Sequence, residues 1–121
     1  MNEPLAIIIE DDLEIRQIFT LALQAEFEIE SFYDGYAALA RLQKVIPSII
    51  ILDLNMSILS GREILQKIRA DERLSKIPVI LATADAVQAA SLREDADLVL
   101  LKPISPIQLR KFASRLRSRS G

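Results

Sequence analysis

Four short stretches set chemically active side chains directly after apolar runs. Glu10-Asp11-Asp12 follows Ile7-Ile8-Ile9, and Asp53, with Asn55 two residues on, follows Ile49-Ile50-Ile51-Leu52. Thr83-Ala84-Asp85 comes after Pro78-Val79-Ile80-Leu81, and Lys102-Pro103 after Leu98 to Leu101. Carboxylates gathered near one point repel, and burying them costs several kcal/mol unless a cation joins them. Two cations are candidates: the Lys102 ammonium and a divalent metal ion. The chain has no His and no Cys. That removes a Ser-His-Asp triad, thiol catalysis, disulfides and any histidine or thiolate metal site. All-oxygen ligation selects a hard ion, and few carboxylates with open water positions suit Mg²⁺, for which Mn²⁺ is an acceptable substitute. Each piece alone has a plainer reading. Asp12 sits where a helix N-cap would, Thr83 could be an ordinary strand residue, and Lys102 a solvated charge. Four run ends agreeing is what singles out a site.

Those run ends meet only if the runs are strands of one sheet. Leu5 to Ile9 is continuous and β-rich, as in a strand covered on both faces. From Asp12 the period becomes helical, with Ile15, Ile18, Phe19 and Ala22 on one stripe. Phe27 to Phe32 reads as a more polar edge strand. Asp34-Gly35 opens a second helix, with Tyr36, Leu39, Ala40 and Leu42 facing inward. Pro47 breaks that helix and Ile49 to Leu52 is the most strongly buried strand. Ser60 and Glu63 form a capping box for a third helix with stripe Ile64, Leu65 and Ile68. Ile77 to Leu81 is the fourth strand, Ala86 to Leu92 a short helix, and Leu98 to Leu101 the fifth strand. Ser105 at the N-cap and Pro106 at N1 start a last, basic helix over 105–118, with Leu109, Phe112, Ala113 and Leu116 inward. Residues 119–121 are expected to fray. Strand and helix alternate five times, which predicts an α/β fold with a parallel sheet covered by helices on both faces. Ligands of such sheets bind beyond the carboxyl ends of the strands, where the four stretches lie.

Composition agrees. The 121 residues are 50% apolar and 26% charged, ordinary for one folded domain spanning 1–121. No apolar run approaches the roughly 18 residues of a membrane span, and no signal segment opens the chain, so a cytoplasmic location is expected. The net charge of −2 hides an asymmetry. Residues 1–60 carry 3 basic and 10 acidic side chains, and residues 61–121 carry 12 basic and 7 acidic. An acidic site built early, with a basic partner supplied later, is the functional reading of that split.

The same residues carry a family likeness over essentially the whole chain. Glu10-Asp11, Arg16 five beyond Asp11, Asp53, Met56, Gly61, Thr83-Ala84 and Lys102-Pro103, each in its place, resemble the receiver domain of bacterial two-component response regulators. The resemblance implies a flavodoxin-like strand order 2-1-3-4-5, with Asp53 as phosphoacceptor. It implies that Asp11 and Asp53 bind Mg²⁺ through carboxylates, Asn55 through its backbone carbonyl, and Glu10 through water. Lys102 would contact a phosphoryl oxygen. Thr83 would hydrogen-bond another, helped by the Ala84 N–H, and the Lys102–Pro103 bond would be cis. The donor would be a phosphohistidine on a sensor histidine kinase or histidine phosphotransfer protein, and phosphorylation would switch binding of a downstream protein. Such a chain is a signalling domain rather than an enzyme with its own substrate, a monomer or a phosphorylation-dependent homodimer. Asn55 and Asp85 flank the expected path of the hydrolytic water and are the positions expected to tune the lifetime of the mark.

Four features depart from the family pattern. Ser57 stands where Pro usually follows Met56, and Asp95-Ala96 replaces the small Gly-Ala turn before the fifth strand. Val99 replaces an aromatic that moves in concert with the Thr. Thr83 and Lys102 are 19 apart, about three fewer than in the family, which predicts a shortened fourth helix. Arg110, Lys111, Arg115, Arg117 and Arg119 make the end basic, read as a solvated face; no DNA-binding module accompanies them, so no direct nucleic-acid contact is expected. The competing readings are a haloacid-dehalogenase-type Mg²⁺ phosphohydrolase, a flavodoxin-like FMN carrier, and a degenerate receiver acting only as an interaction module. Asn55 stands where the phosphohydrolases usually carry an Asp acid. No Ser/Thr/Gly phosphate loop follows the first strand, and Asp11, Asp53, Thr83 and Lys102 are all retained.

Overall fold

The computed structural model describes residues 3–120. Five parallel strands lie in the order β2-β1-β3-β4-β5: β1 Leu5–Ile9, β2 Glu28–Phe32, β3 Ile49–Asp53, β4 Val79–Thr83 and β5 Leu98–Leu101. Helices α1 (Leu13–Leu23), α2 (Gly35–Leu42), α3 (Gly61–Ala70), α4 (Ala86–Ser91) and α5 (Pro106–Ser120) connect and follow them. This is the expected (βα)₅ architecture.

The central strands are apolar up to their last residues because both faces are covered, and their alternation splits the core in two. Ile7, Ile9, Ile50, Leu52, Val79 and Leu81 point to the side of α2 and α3, among Ala38, Leu42, Ile64, Leu65 and Ile68. Ala6, Ile8, Ile49, Ile51, Ile80 and Ala82 point to α1 and α5, among Phe19, Leu23, Phe27, Leu109 and Ala113. Register pairs Ile9 with Leu52, and Asp53 with Ala82, so the carboxyl ends of β1, β3 and β4 are level. That levelness brings residues distant in sequence to one edge.

Caps follow the sequence signals. Asp12, Asp34, Ser60 and Asp85 each accept from a backbone N–H of the first turn of α1, α2, α3 and α4. Ser105 Oγ does so for Gln108 N–H at 3.3 Å. Two helix faces differ from expectation. In α2 the buried residues are Gly35, Ala38 and Leu42, while Tyr36 is 59% exposed, Ala40 is exposed and Leu39 is only half-buried. The reason is close helix packing at the start of α2: a Cβ on Gly35 would lie 2.7 Å from Ile64 Cδ1, so the inward face begins with the small residues Gly35 and Ala38 and reaches a large side chain only at Leu42. In α1, Ile18 is exposed and Leu23 is buried instead. α5 extends to Ser120, past the expected 118, since no Gly or Pro interrupts it; Gly121 lies outside the described residues. Asp95-Ala96 turns without strain, for no described residue occupies the left-handed region.

Candidate functional site

β1 and β3 deliver the acidic cluster. Glu10 and Asp53 are 1% and 2% exposed, and with Asp11 they place carboxylate oxygens within 4.8 Å of one another. Lys102, at the end of β5, reaches across β4 to both buried acids. Its Nζ donates to Asp53 Oδ1 at 3.0 Å and to Glu10 Oε1 at 3.2 Å. Asp53 Oδ1 also accepts the Asn55 N–H at 3.1 Å. Both bonds fall on Oδ1, and among the described residues Oδ2 accepts none.

One ammonium does not balance three carboxylates. Glu10 shows the consequence: burial lifts its carboxyl pKa to about 7, assisted by the Asp53 charge and opposed by the Asp12 N–H and Lys102. Burial alone would lower the Lys102 pKa. The hydrogen bond to Asp53 and the charges of Asp53 and Glu10 outweigh it, so the pKa rises and Lys102 stays cationic at neutral pH. The donor set is oxygen only, two of its acids are buried, and net negative charge remains; these properties fit a hard divalent cation.

The turns that carry these groups are fixed from behind. Arg16 Nη1 donates to the Glu10 carbonyl at 2.9 Å, and its guanidinium lies 5.7 Å from the Tyr33 ring centroid. Glu10 N–H reaches Phe32 O at 3.0 Å, and Leu54 N–H reaches Ala82 O at 2.9 Å. Gly61 passes so close to β3 that a Cβ would lie 2.5 Å from both Asp53 O and Leu54 Cα. Only hydrogen fits there, so a Gly eight residues after Asp53 is a local steric requirement.

The remaining expected residues lie on the same edge with other partners. Thr83 is fully buried; its hydroxyl accepts from Asp85 N–H at 3.1 Å and donates to Gln88 Oε1 at 3.2 Å. Ala84 is exposed beside it. Asp85 and Asn55 are exposed at the rim, and the Asp85 carboxylate caps α4 through Val87 and Gln88 N–H. The Lys102–Pro103 bond is cis. Sequence patterns assign no role to Gln88 and none beyond family likeness to Arg16. Both act on groups fixed by tertiary packing, and Gln88 in α4 lies five residues beyond Thr83 at the end of β4, a spacing that belongs to no regular element.

Comparison with known proteins gives a consistent answer. The sequence profile of the response regulator receiver domain matches residues 6–114. The regulatory protein VanRc of Enterococcus gallinarum is 31% identical over 107 residues, covering 85% of this chain and 45% of its own. The sensor histidine kinase TmoS of Ectopseudomonas mendocina is 28% identical over 120 residues, covering 97% of this chain and 12% of its own. This chain therefore spans less than half the length of either. The chemotaxis response regulator CheY4 of Vibrio cholerae superposes with a TM-score of 0.84 at 28% identity, over 95% of this chain and 99% of that one.

Proposed function

This chain belongs to the response regulator receiver domain family of two-component systems, and we propose that it is an active member whose phosphoacceptor is Asp53. The observation that carries this reading is the state of the Asp53 carboxylate. It is buried at the end of β3, held by Lys102 and the Asn55 N–H on Oδ1, and has Oδ2 left to attack. A carboxylate attacks directly as its anion, with no proton to remove in the step, so the absence of His is no obstacle.

In the proposed reaction an Asp53 oxygen attacks the phosphorus of a phosphohistidine on a partner kinase or phosphotransfer protein. The P–N bond breaks, its electron pair goes to the imidazole, and an acyl phosphate forms. Phosphoryl transfer asks a protein chiefly to position groups and neutralise charge. Lys102, already 3.0 Å from Asp53, provides one positive charge to a phosphoryl oxygen. Asp11 and Asp53, with the Asn55 carbonyl and Glu10 through water, would hold Mg²⁺ or Mn²⁺. When bound, the ion adds positive charge next to the transferring group. Thr83 and the Ala84 N–H would hold a further oxygen, and Asn55 and Asp85 at the rim would set how fast water clears the mark. Among the described residues no helix is long and apolar enough to cross a membrane.

The test is intact mass after incubation with Mg²⁺ and acetyl phosphate, then with a phosphorylated histidine kinase. The unaltered chain gains one phosphoryl group and Asp53→Asn gains none. A chain that stays unmodified with both donors contradicts the reading.

A further inference from the structure

Thr83 has one hydroxyl proton, and the structure accounts for it. The hydroxyl is fully buried, so its proton needs an acceptor. The Asp85 N–H donates to Oγ1 at 3.1 Å, and the proton goes to the Gln88 side-chain carbonyl at 3.2 Å. Gln88 is also tied into α4 itself. Its N–H donates to Asp85 Oδ1 at 3.1 Å and its backbone carbonyl accepts from Ser91 Oγ at 2.8 Å.

The proposed function asks the same proton to bond a phosphoryl oxygen on Asp53. One proton cannot make both bonds at full strength. We propose that Gln88 is a latch: it holds the Thr83 hydroxyl in the unmodified chain and competes with the phosphoryl group for it, so that phosphorylation releases Gln88 and with it α4. The inference rests on Asp53 being the phosphoacceptor.

Two further observations support the latch. α4 is the shortest helix, six residues, and Ala89 is the one residue it buries; two side-chain bonds tie it to other elements, the buried one from Thr83 to Gln88 and an exposed one from Arg62 Nη2 to Ser91 Oγ at 3.1 Å, so losing the first loosens it. On the β5 side, Val99 is partly buried and aliphatic, with no polar group to answer a move of Thr83. Coupling from Thr83 to the α4 surface has a built route through Gln88.

Beryllium fluoride, an analogue of the phosphoryl group, gives the readout on the full chain in excess Mg²⁺. A net hydrogen bond changes an equilibrium by about 2- to 10-fold. Gln88→Met, of similar volume and without the acceptor, tightens beryllium fluoride binding by about that factor. Gln88→Glu, which keeps an acceptor, does not tighten it. In a Thr83→Val background, Gln88→Met has no effect, since the proton it competes for is gone. In the unliganded chain, Gln88→Met and Thr83→Val each speed hydrogen exchange at the Ala89 and Leu92 amides, and the double variant is no faster than either alone. If the unaltered chain binds beryllium fluoride and Gln88→Met binds it equally, or if the effect survives in Thr83→Val, the latch is wrong and the phosphoacceptor reading stands. If the unaltered chain binds none, both fall.

Discussion

The two ends of the sheet handle charge in opposite ways. At the amino end, Arg69 closes the turns that lead into β4 and β5. Its guanidinium donates to Asp97 Oδ1 at 2.9 Å, to Asp95 O at 2.8 Å, and to Ser75 O and Ile77 O at 3.0 and 2.8 Å. Asp97 Oδ1 in turn takes the Val79 N–H at 2.8 Å. In this cluster the Arg69 and Asp97 charges are paired. At the carboxyl end one ammonium pairs with two of three clustered carboxylates, and the buried Glu10 is pushed toward neutrality. The amino-end cluster is satisfied by the chain alone; the carboxyl end becomes so only when something cationic is added. Unbalanced charge at one pole of an otherwise satisfied fold is the physical mark of a site.

The contrast can be broken by mutation, with stability measured by chemical denaturation with and without Mg²⁺. The largest effect is at Lys102. Removing the one ammonium leaves Glu10 and Asp53 buried without a cation, so Lys102→Met costs about 3 kcal/mol in chelator, and Mg²⁺ recovers part of it. Arg69→Met comes next. It leaves three backbone carbonyls and Asp97 short of a donor, and because the pair is partly exposed the cost is about 2 kcal/mol, equal with and without Mg²⁺. If Mg²⁺ rescued Arg69→Met as well, the poles would not differ as described. The smallest effect has the opposite sign. Asp11 accepts no hydrogen bond among the described residues, so Asp11→Asn relieves repulsion without breaking a bond. It stabilises the chain in chelator by about 1 kcal/mol and removes most of the stabilisation by Mg²⁺. A loss of stability in chelator would contradict the repulsion.

Much of this is legible in the sequence, for a physical reason. Strands buried on both faces write continuous apolar runs, and the functional groups of this fold sit where those runs stop. Asp53, Glu10 and Lys102 therefore stand out as run ends in the amino-acid sequence itself. Helix faces are harder to read. The large apolar side chains of α2 point to Tyr36 and a face that includes Ala40, whereas close approach to Ile64 demands the small face of Gly35 and Ala38. Long polar side chains are hardest. Arg69 in the last turn of α3 looks like any cation near a helix C-terminus, and nothing in its spacing announces Asp95 and Asp97 as partners. Gln88 is silent for the same reason. The absence of a small turn at Asp95-Ala96 is plain from the residue types, but its resolution through Arg69 and Asp97 belongs to tertiary structure.

The central claim is that the unbalanced pole acts through one nucleophile, Asp53. Acyl phosphates, unlike phosphate esters, are cleaved by borohydride, which reduces the modified Asp to homoserine. The direct measurement is to phosphorylate the chain with Mg²⁺ and acetyl phosphate, reduce it, and locate homoserine by peptide sequencing. Homoserine at position 53 alone is the predicted result; reduction at position 11 or 12, or a phosphoryl group that resists borohydride, would contradict it.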